Sequence, residues 1–475
     1  MLRAKHSRDL DFVWGLLRTG IMSLVPAAAL PLLIGYEQAR LSNINNMTLY
    51  TKHFINSRHV PWRIRNSIEN WTEKIACHKY PAIYEFLHFG RLHNLVQPVT
   101  TGPNHHFFGY YEKSPWNQSG RFLLTHEANF NDRPPNEKDS VKIGIIDLKK
   151  NNKFKALAIS HAWNWQQGTM AQWHPANPEN WILHNDRNNE KHIAIVRDIE
   201  GNEIQKYEKP IYAISPCGKY AYSVNFARLQ TYRPGYGYAG VNDPWANSLY
   251  PEDDGIHLIN LESGRSELII SLHQLANLNA TESMLRSPHW INHIQISPNA
   301  KRFAFFHIWR IGESGWKVRL YSANMDGSEL FCILDTDMIS HYDWKDDENI
   351  LVWAKDPGTQ KDNFLFCKDK EHTIKIVGKN VLTEDGHCSY SPDRNWVLND
   401  TYPDTYDMRT LMLFDPQSER RIDLARLYSP KKKWWGEIRC DLHPRWSRDG
   451  KQICFDSVHS GERQLYVANI EEFLK

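Results

Sequence analysis

The sequence predicts an all-β fold, a seven-bladed β-propeller with an N-terminal helical appendage. Three observations predict it. Short β-rich runs alternate with turn residues from about residue 100 onward. The alternation repeats with a period of roughly 40–50 residues. One turn, of the Ser-Pro-Asp-Gly type, stands at the same place in each repeat. Regular strand spacing alone would also suit two β-sandwiches, but those give no reason for a phased turn. A four-stranded blade cannot bury both faces by itself, and seven stacked around an axis bury all of them.

In chain order, residues 1–35 are an apolar segment. VWGLLRTGIMSLVPAAALPLLI, 13–34, follows Lys5 and Arg8 and contains Ala27, Ala28 and Ala29, so it reads as a signal or as an anchor making peripheral membrane contact. Arg18 interrupts the run and Pro26 and Pro31 break a long helix, which argues against a clean transmembrane span. Residues 36–100 read as a helical appendage, polar on one face in WRIRNSIENWTEKIACHKYPAIYEFL. Residues 101–475 are the propeller.

Its seven units begin at YYEKSPWNQSGRFLL (110–124), MAQWHPANPENWIL (170–183), IYAISPCGKYAYSV (211–224), HIQISPNAKRFAFF (293–306), HYDWKDDENILVW (341–353), HCSYSPDRNWVL (387–398) and HPRWSRDGKQICF (443–455). The turn has a mechanism: Pro fixes φ at its second position, and Asp and Gly accept the backbone angles that follow. The 18 Trp and 21 Tyr suit sheet cores or a sugar-stacking surface. The net charge of +2 gives no electrostatic reason to expect nucleic acid. Seven cysteines with no CxxC pair disfavour a disulfide framework and favour a reducing compartment, so the chain leans towards a cytoplasmic or membrane-associated place.

Aligned on the turn serine or its equivalent, His293, His341, His387 and His443 each precede that residue by four. The strand before the turn is the innermost of a blade, so residues at equal offset form a ring about the channel. The first three units place Tyr110, Met170 and Ile211 there. Neutral imidazoles converging from neighbouring strands suit a divalent transition metal, Mn or Zn foremost. Asp441, Cys388 and His289 lie close enough in sequence to replace one ligand. Inner-strand histidines that only bond backbone carbonyls or channel water are the structural alternative.

A second constellation falls on the first units. TGPNHHFFGYYEKSPW holds His105, His106, Tyr110 and Tyr111, the next strand ends at His126, and HNDR runs from His184 to Arg187. NFARLQTYRPGYGYAG adds Arg228, Tyr232, Arg233, Tyr236 and Tyr238 in a Gly-rich loop. Histidine, tyrosine and arginine on neighbouring blade ends offer proton transfer and a carboxylate clamp, with His105, Tyr110, Arg228, Tyr232 and Arg233 as substrate contacts. GxSxG and P-loop patterns do not occur, and the single GxGxxG, residues 235–240, falls inside that Gly-rich loop, so hydrolase, kinase and dinucleotide readings lack support.

From 105 to 472 the repeats resemble the TolB-type propeller repeat, and the histidines make the chain similar to propeller-fold polysaccharide lyases, the oligogalacturonate and ulvan lyases. The resemblance implies His106 and His126 as a catalytic pair, Arg187 as the group neutralising a uronate carboxylate, and His293, His387 and His443 as metal ligands. WNWQQGTMAQW contains no Tyr, so Tyr232 or Tyr236 takes the tyrosine role. The implied activity is β-elimination on an acidic polysaccharide or oligosaccharide. The competing reading is a non-catalytic propeller that grips an acidic glycan or a protein in polysaccharide assembly or processing.

Overall fold

The computed structural model describes residues 95–188 and 190–474. The expectations for the apolar segment 1–35, and for the appendage up to residue 94, lie outside the described residues. No described helix is long and apolar enough to cross a membrane.

Seven four-stranded antiparallel sheets make the propeller. Blades one to six each take four strands in chain order, from His105–Phe107 through Lys153–Ser160 for the first to Ser389–Tyr390 through Arg420–Tyr428 for the sixth. The seventh takes Arg445–Trp446, Gln452–Ser457 and Gln464–Asn469, and its outer strand is Val96–Pro98 from the other end of the domain. Val96 pairs with Ala468 and Pro98 with Tyr466. The propeller therefore starts at Val96 rather than at 101. This closure leaves no blade with a bare edge at the junction of the two chain ends.

The repeated turn is built from its own side chains. The hydroxyl of Ser391 accepts from the N–H of Trp396 at 2.9 Å and donates to Asp393, and Ser447 does the same with Gln452 and Asp449. Ser297 makes the equivalent bonds with Arg302 and Asn299. Serine thus ties the end of the inner strand to the start of the next, which fixes the register of both. Between blades, tryptophans one residue before the turn reach across: Trp173 Nε1 donates to Pro115 O at 2.7 Å, Trp344 to Gln295 O at 3.3 Å and Trp446 to Ser389 O at 3.2 Å.

Candidate metal site

The four histidines do converge. Ring centroids are 4.1 Å apart for His341 and His387, 4.3 Å for His387 and His443, and 6.1 Å for His293 and His341. His293 and His443 have positive φ, 56° and 42°, as does Met170 at the same register in the second blade. A non-glycine residue in that region costs about 1–2 kcal/mol, so the inner strands hold local strain where they meet the axis. Tyr110 completes the ring from the first blade, its hydroxyl 2.9 Å from Nδ1 of His293. Buried Arg445 places it, donating to the carbonyls of Gly109 and Tyr110 while paired with Asp456 at 3.0 Å.

Each histidine has its own partners. His341 Nδ1 lies 3.0 Å from Asp385 Oδ1, and His293 stands against the Tyr110 hydroxyl. His387 donates Nδ1–H to Asp400 at 2.8 Å, and its backbone N–H goes to the same carboxylate at 2.7 Å. That bond leaves the lone pair on Nε2. The Nε2 atoms of both His387 and His443 are buried without a hydrogen-bond partner. One donor atom from each of His387, Asp441 and His443 lies within 4.8 Å of the other two.

Electrostatics favour this trio as ligands. Burial holds His443, His293 and His341 below the usual imidazole range, and neighbouring imidazoles add to the effect. Burial alone would push the Asp441 carboxyl up, but Arg439 and Arg409 more than offset it and keep it well below the usual range. Arg409 and Arg439 each approach Asp441 to 2.7 Å, on opposite carboxylate oxygens. Arg439 hydrogen-bonds Oδ2, while Oδ1 is buried without a hydrogen-bond partner and keeps its lone pairs. Two imidazole nitrogens and a carboxylate with an open side are a donor set for Mn or Zn.

Arg439 also donates to the Tyr236 hydroxyl at 2.8 Å. The Tyr236 ring lies 5.9 Å from His293 and 6.2 Å from Tyr110, and Arg233 covers it at 5.0 Å. Tyr402 lies 5.8 Å from His387. The partly exposed His293, Arg233, Tyr402 and Arg439 form the cluster's wetter rim. Sequence reading singled out neither Arg439 nor Tyr402, and neither falls at a repeat offset.

The other sequence candidates serve elsewhere. His126 uses both ring nitrogens, donating Nδ1–H to Phe107 O at 3.2 Å and accepting from the Thr169 N–H at 3.1 Å. Burial pushes it down to about 4. His106 lies between Glu127 at 3.3 Å and Gln464 at 3.3 Å, and His105 meets Asn131 at 3.2 Å. Arg187 donates to the carbonyls of Ala239 and Glu137, pinning two loops. Arg228 is fully buried on Asp243 at 3.0 Å and on the carbonyls of Leu249 and His289 at 2.6 Å each, and Tyr232 stacks on Trp290. His289 is paired with His307 at 2.7 Å. The Cys388 thiol is buried and unpaired.

No family model and no curated protein sequence matches the chain. Solved structures do match. The oligogalacturonate lyase of Vibrio parahaemolyticus superimposes with a TM-score of 0.56 at 13% identity, over 80% of this chain and 94% of that one. An oligogalacturonate lyase in complex with manganese gives a TM-score of 0.58 at 15% identity over the same shares. The chain therefore has the propeller fold that these lyases have. TolB from Acinetobacter baumannii aligns at 12% identity with a TM-score of only 0.38, over 74% of this chain and 78% of that one.

Proposed function

We propose that this propeller is a polysaccharide lyase-like enzyme that cleaves a uronate-containing glycan by β-elimination at the histidine end of its channel. The observation carrying this reading is the pair of buried, unpartnered Nε2 atoms of His387 and His443 facing the Asp441 carboxylate. These three residues would hold a divalent transition metal, which when bound supplies Lewis acidity towards a substrate carboxylate. The manganese in the similar lyase structure supports the same choice of ion.

Elimination requires a neutralised carboxylate, a base for the C5 proton and an acid for the leaving O4. Arg439 and Arg233 bring guanidinium charge to the rim, beside the Tyr236 ring. Tyr236 takes the proton-transfer role, its hydroxyl accepting from Arg439 and its ring lying beside His293. His293, kept neutral by burial, offers a nitrogen for the C5 proton, and Tyr110 holds its ring. His126 then keeps blade one in shape, since both its ring nitrogens are already engaged, whereas Nε2 of His106 is buried without a hydrogen-bond partner.

That engagement also favours a second reading, a propeller that binds an acidic glycan without cleaving it. The test is incubation with oligogalacturonate, following ultraviolet absorbance of the unsaturated uronate. Absorbance that grows with the wild-type chain and vanishes with Tyr236→Phe supports the lyase. Saturable glycan binding without absorbance would replace it with the binding module.

A further inference from the structure

The register that sets the histidine ring sets a second polar layer two residues nearer the turns. Glu112, Gln172, Gln295 and Asp343 occupy it and line a cavity of about 640 Å³ at the turn-side mouth of the channel. None of the channel histidines is among its lining residues. Tyr111, Tyr212 and Tyr342 stand in the intervening register. Tyr111 exchanges bonds with the Tyr342 backbone at 2.9 and 3.1 Å, and Tyr212 accepts from the His293 N–H at 3.1 Å.

The wall of this cavity is rich in acceptors with nothing to accept. Glu112 takes Lys113 on Oε1 at 2.6 Å, but its Oε2 has no partner although the side chain is only 7% exposed. Gln295 donates Nε2–H to Tyr342 O at 2.9 Å, which turns a buried, unpartnered Oε1 outward from that bond. Ser114 Oγ is also buried and unpartnered. Asp343 accepts the Tyr390 N–H at 2.8 Å, with Arg394 3.8 Å away. Buried acceptors without donors are rare in native proteins, and an ammonium group supplies three donors and no acceptor.

Charge decides what else the ligand carries. The lining holds Lys113, Arg394 and Arg448 against two carboxylates, so a bare cation meets a net positive wall. Arg394 and Arg448 belong to the turns of blades six and seven, at the mouth, and each guanidinium keeps donors beyond those it gives to Trp344 O and Trp116 O. Trp173 and Trp344 provide apolar wall for a short hydrocarbon body.

We propose that the turn-side mouth is a binding site for a small zwitterion, with its ammonium against Glu112 and Gln295 and its carboxylate on Arg394 and Arg448. The site is separate from the histidine cluster and does not depend on the lyase reading. Calorimetry on the full chain with γ-aminobutyrate, putrescine and butyrate tests it. Expected is one saturable site for γ-aminobutyrate, with putrescine and butyrate at least about tenfold weaker. Glu112→Gln and, separately, Arg394→Gln each weaken γ-aminobutyrate by about tenfold or more, while His387→Ala leaves it unchanged. Butyrate binding as well as γ-aminobutyrate, affinity undiminished in either cavity variant, or no saturation by any of the three probes overturns the proposal. Arg394 is 40% exposed at its side chain, so its variant keeps the test decisive where Glu112→Gln fails to fold.

Discussion

Blades four to seven and blades one to three set the same ring, yet the two arcs carry different chemistry. The first arc presents His293, His341, His387 and His443, and the second Tyr110, Met170 and Ile211. Met170 and Ile211 are buried apolar packing, 1% and 0% exposed, and Tyr110 is turned towards the histidines. The fold fixes where a ring residue points, while its partners fix what it can do. Within the histidine arc, Asp385 orients His341 and Asp400 orients His387 through Nδ1, the Tyr110 hydroxyl meets His293, and the Nε2 atoms of His387 and His443 are buried without a hydrogen-bond partner.

The comparison breaks most visibly where an arginine expected at the substrate is instead a support. Arg228→Met strands the buried Asp243 and several loop carbonyls, and should cost about 3–5 kcal/mol in chemical denaturation. A loss below about 1 kcal/mol would return Arg228 to the surface chemistry of the site.

Acid should expose the packing histidines of the other arc. His126 is held down to about 4 against an unfolded value of 6.5, so on acidification the unfolded chain takes up the proton first. Stability is full above about pH 6.5 and falls as the pH drops towards 4, by up to about 3 kcal/mol from this group. His184, His192 and His289, also held near 4, act in the same direction. Denaturation midpoints measured at pH 7.5 and 5 check this, and equal midpoints would contradict it.

Within the candidate ligand trio, Asp400→Asn removes the carboxylate that orients His387. Metal affinity should fall by about 10–100-fold, read by chelator competition. The smallest effect belongs to the apolar arc: Met170→Leu should change stability by less than about 1.5 kcal/mol and leave metal content as it is.

Much of this was legible because the turn is local. Ser391, Asp393 and Trp396 make their bonds within six residues, so the repeat, the inner strand and the offset of the histidines all show in the sequence. Asp441 was visible as a neighbour of His443. What was not legible comes from distant strand ends. Asp400 reaches His387 from the far end of the second strand of its blade, Asp385 reaches His341 from the next blade's approach, and Arg439 meets Tyr236 across 203 positions. The closing strand Val96–Pro98 has no turn signal and pairs with the opposite end of the chain. His126 looked catalytic by residue type, and only its bonds to Phe107 and Thr169 show how it is used.

The most direct measurement is elemental analysis of the purified chain beside a His387→Ala, His443→Ala double variant. The account predicts about one equivalent of a divalent transition metal in the wild type and loss of it in a folded double variant. A folded wild-type chain without metal, or a double variant that keeps it, would contradict the assignment of His387, Asp441 and His443 as ligands.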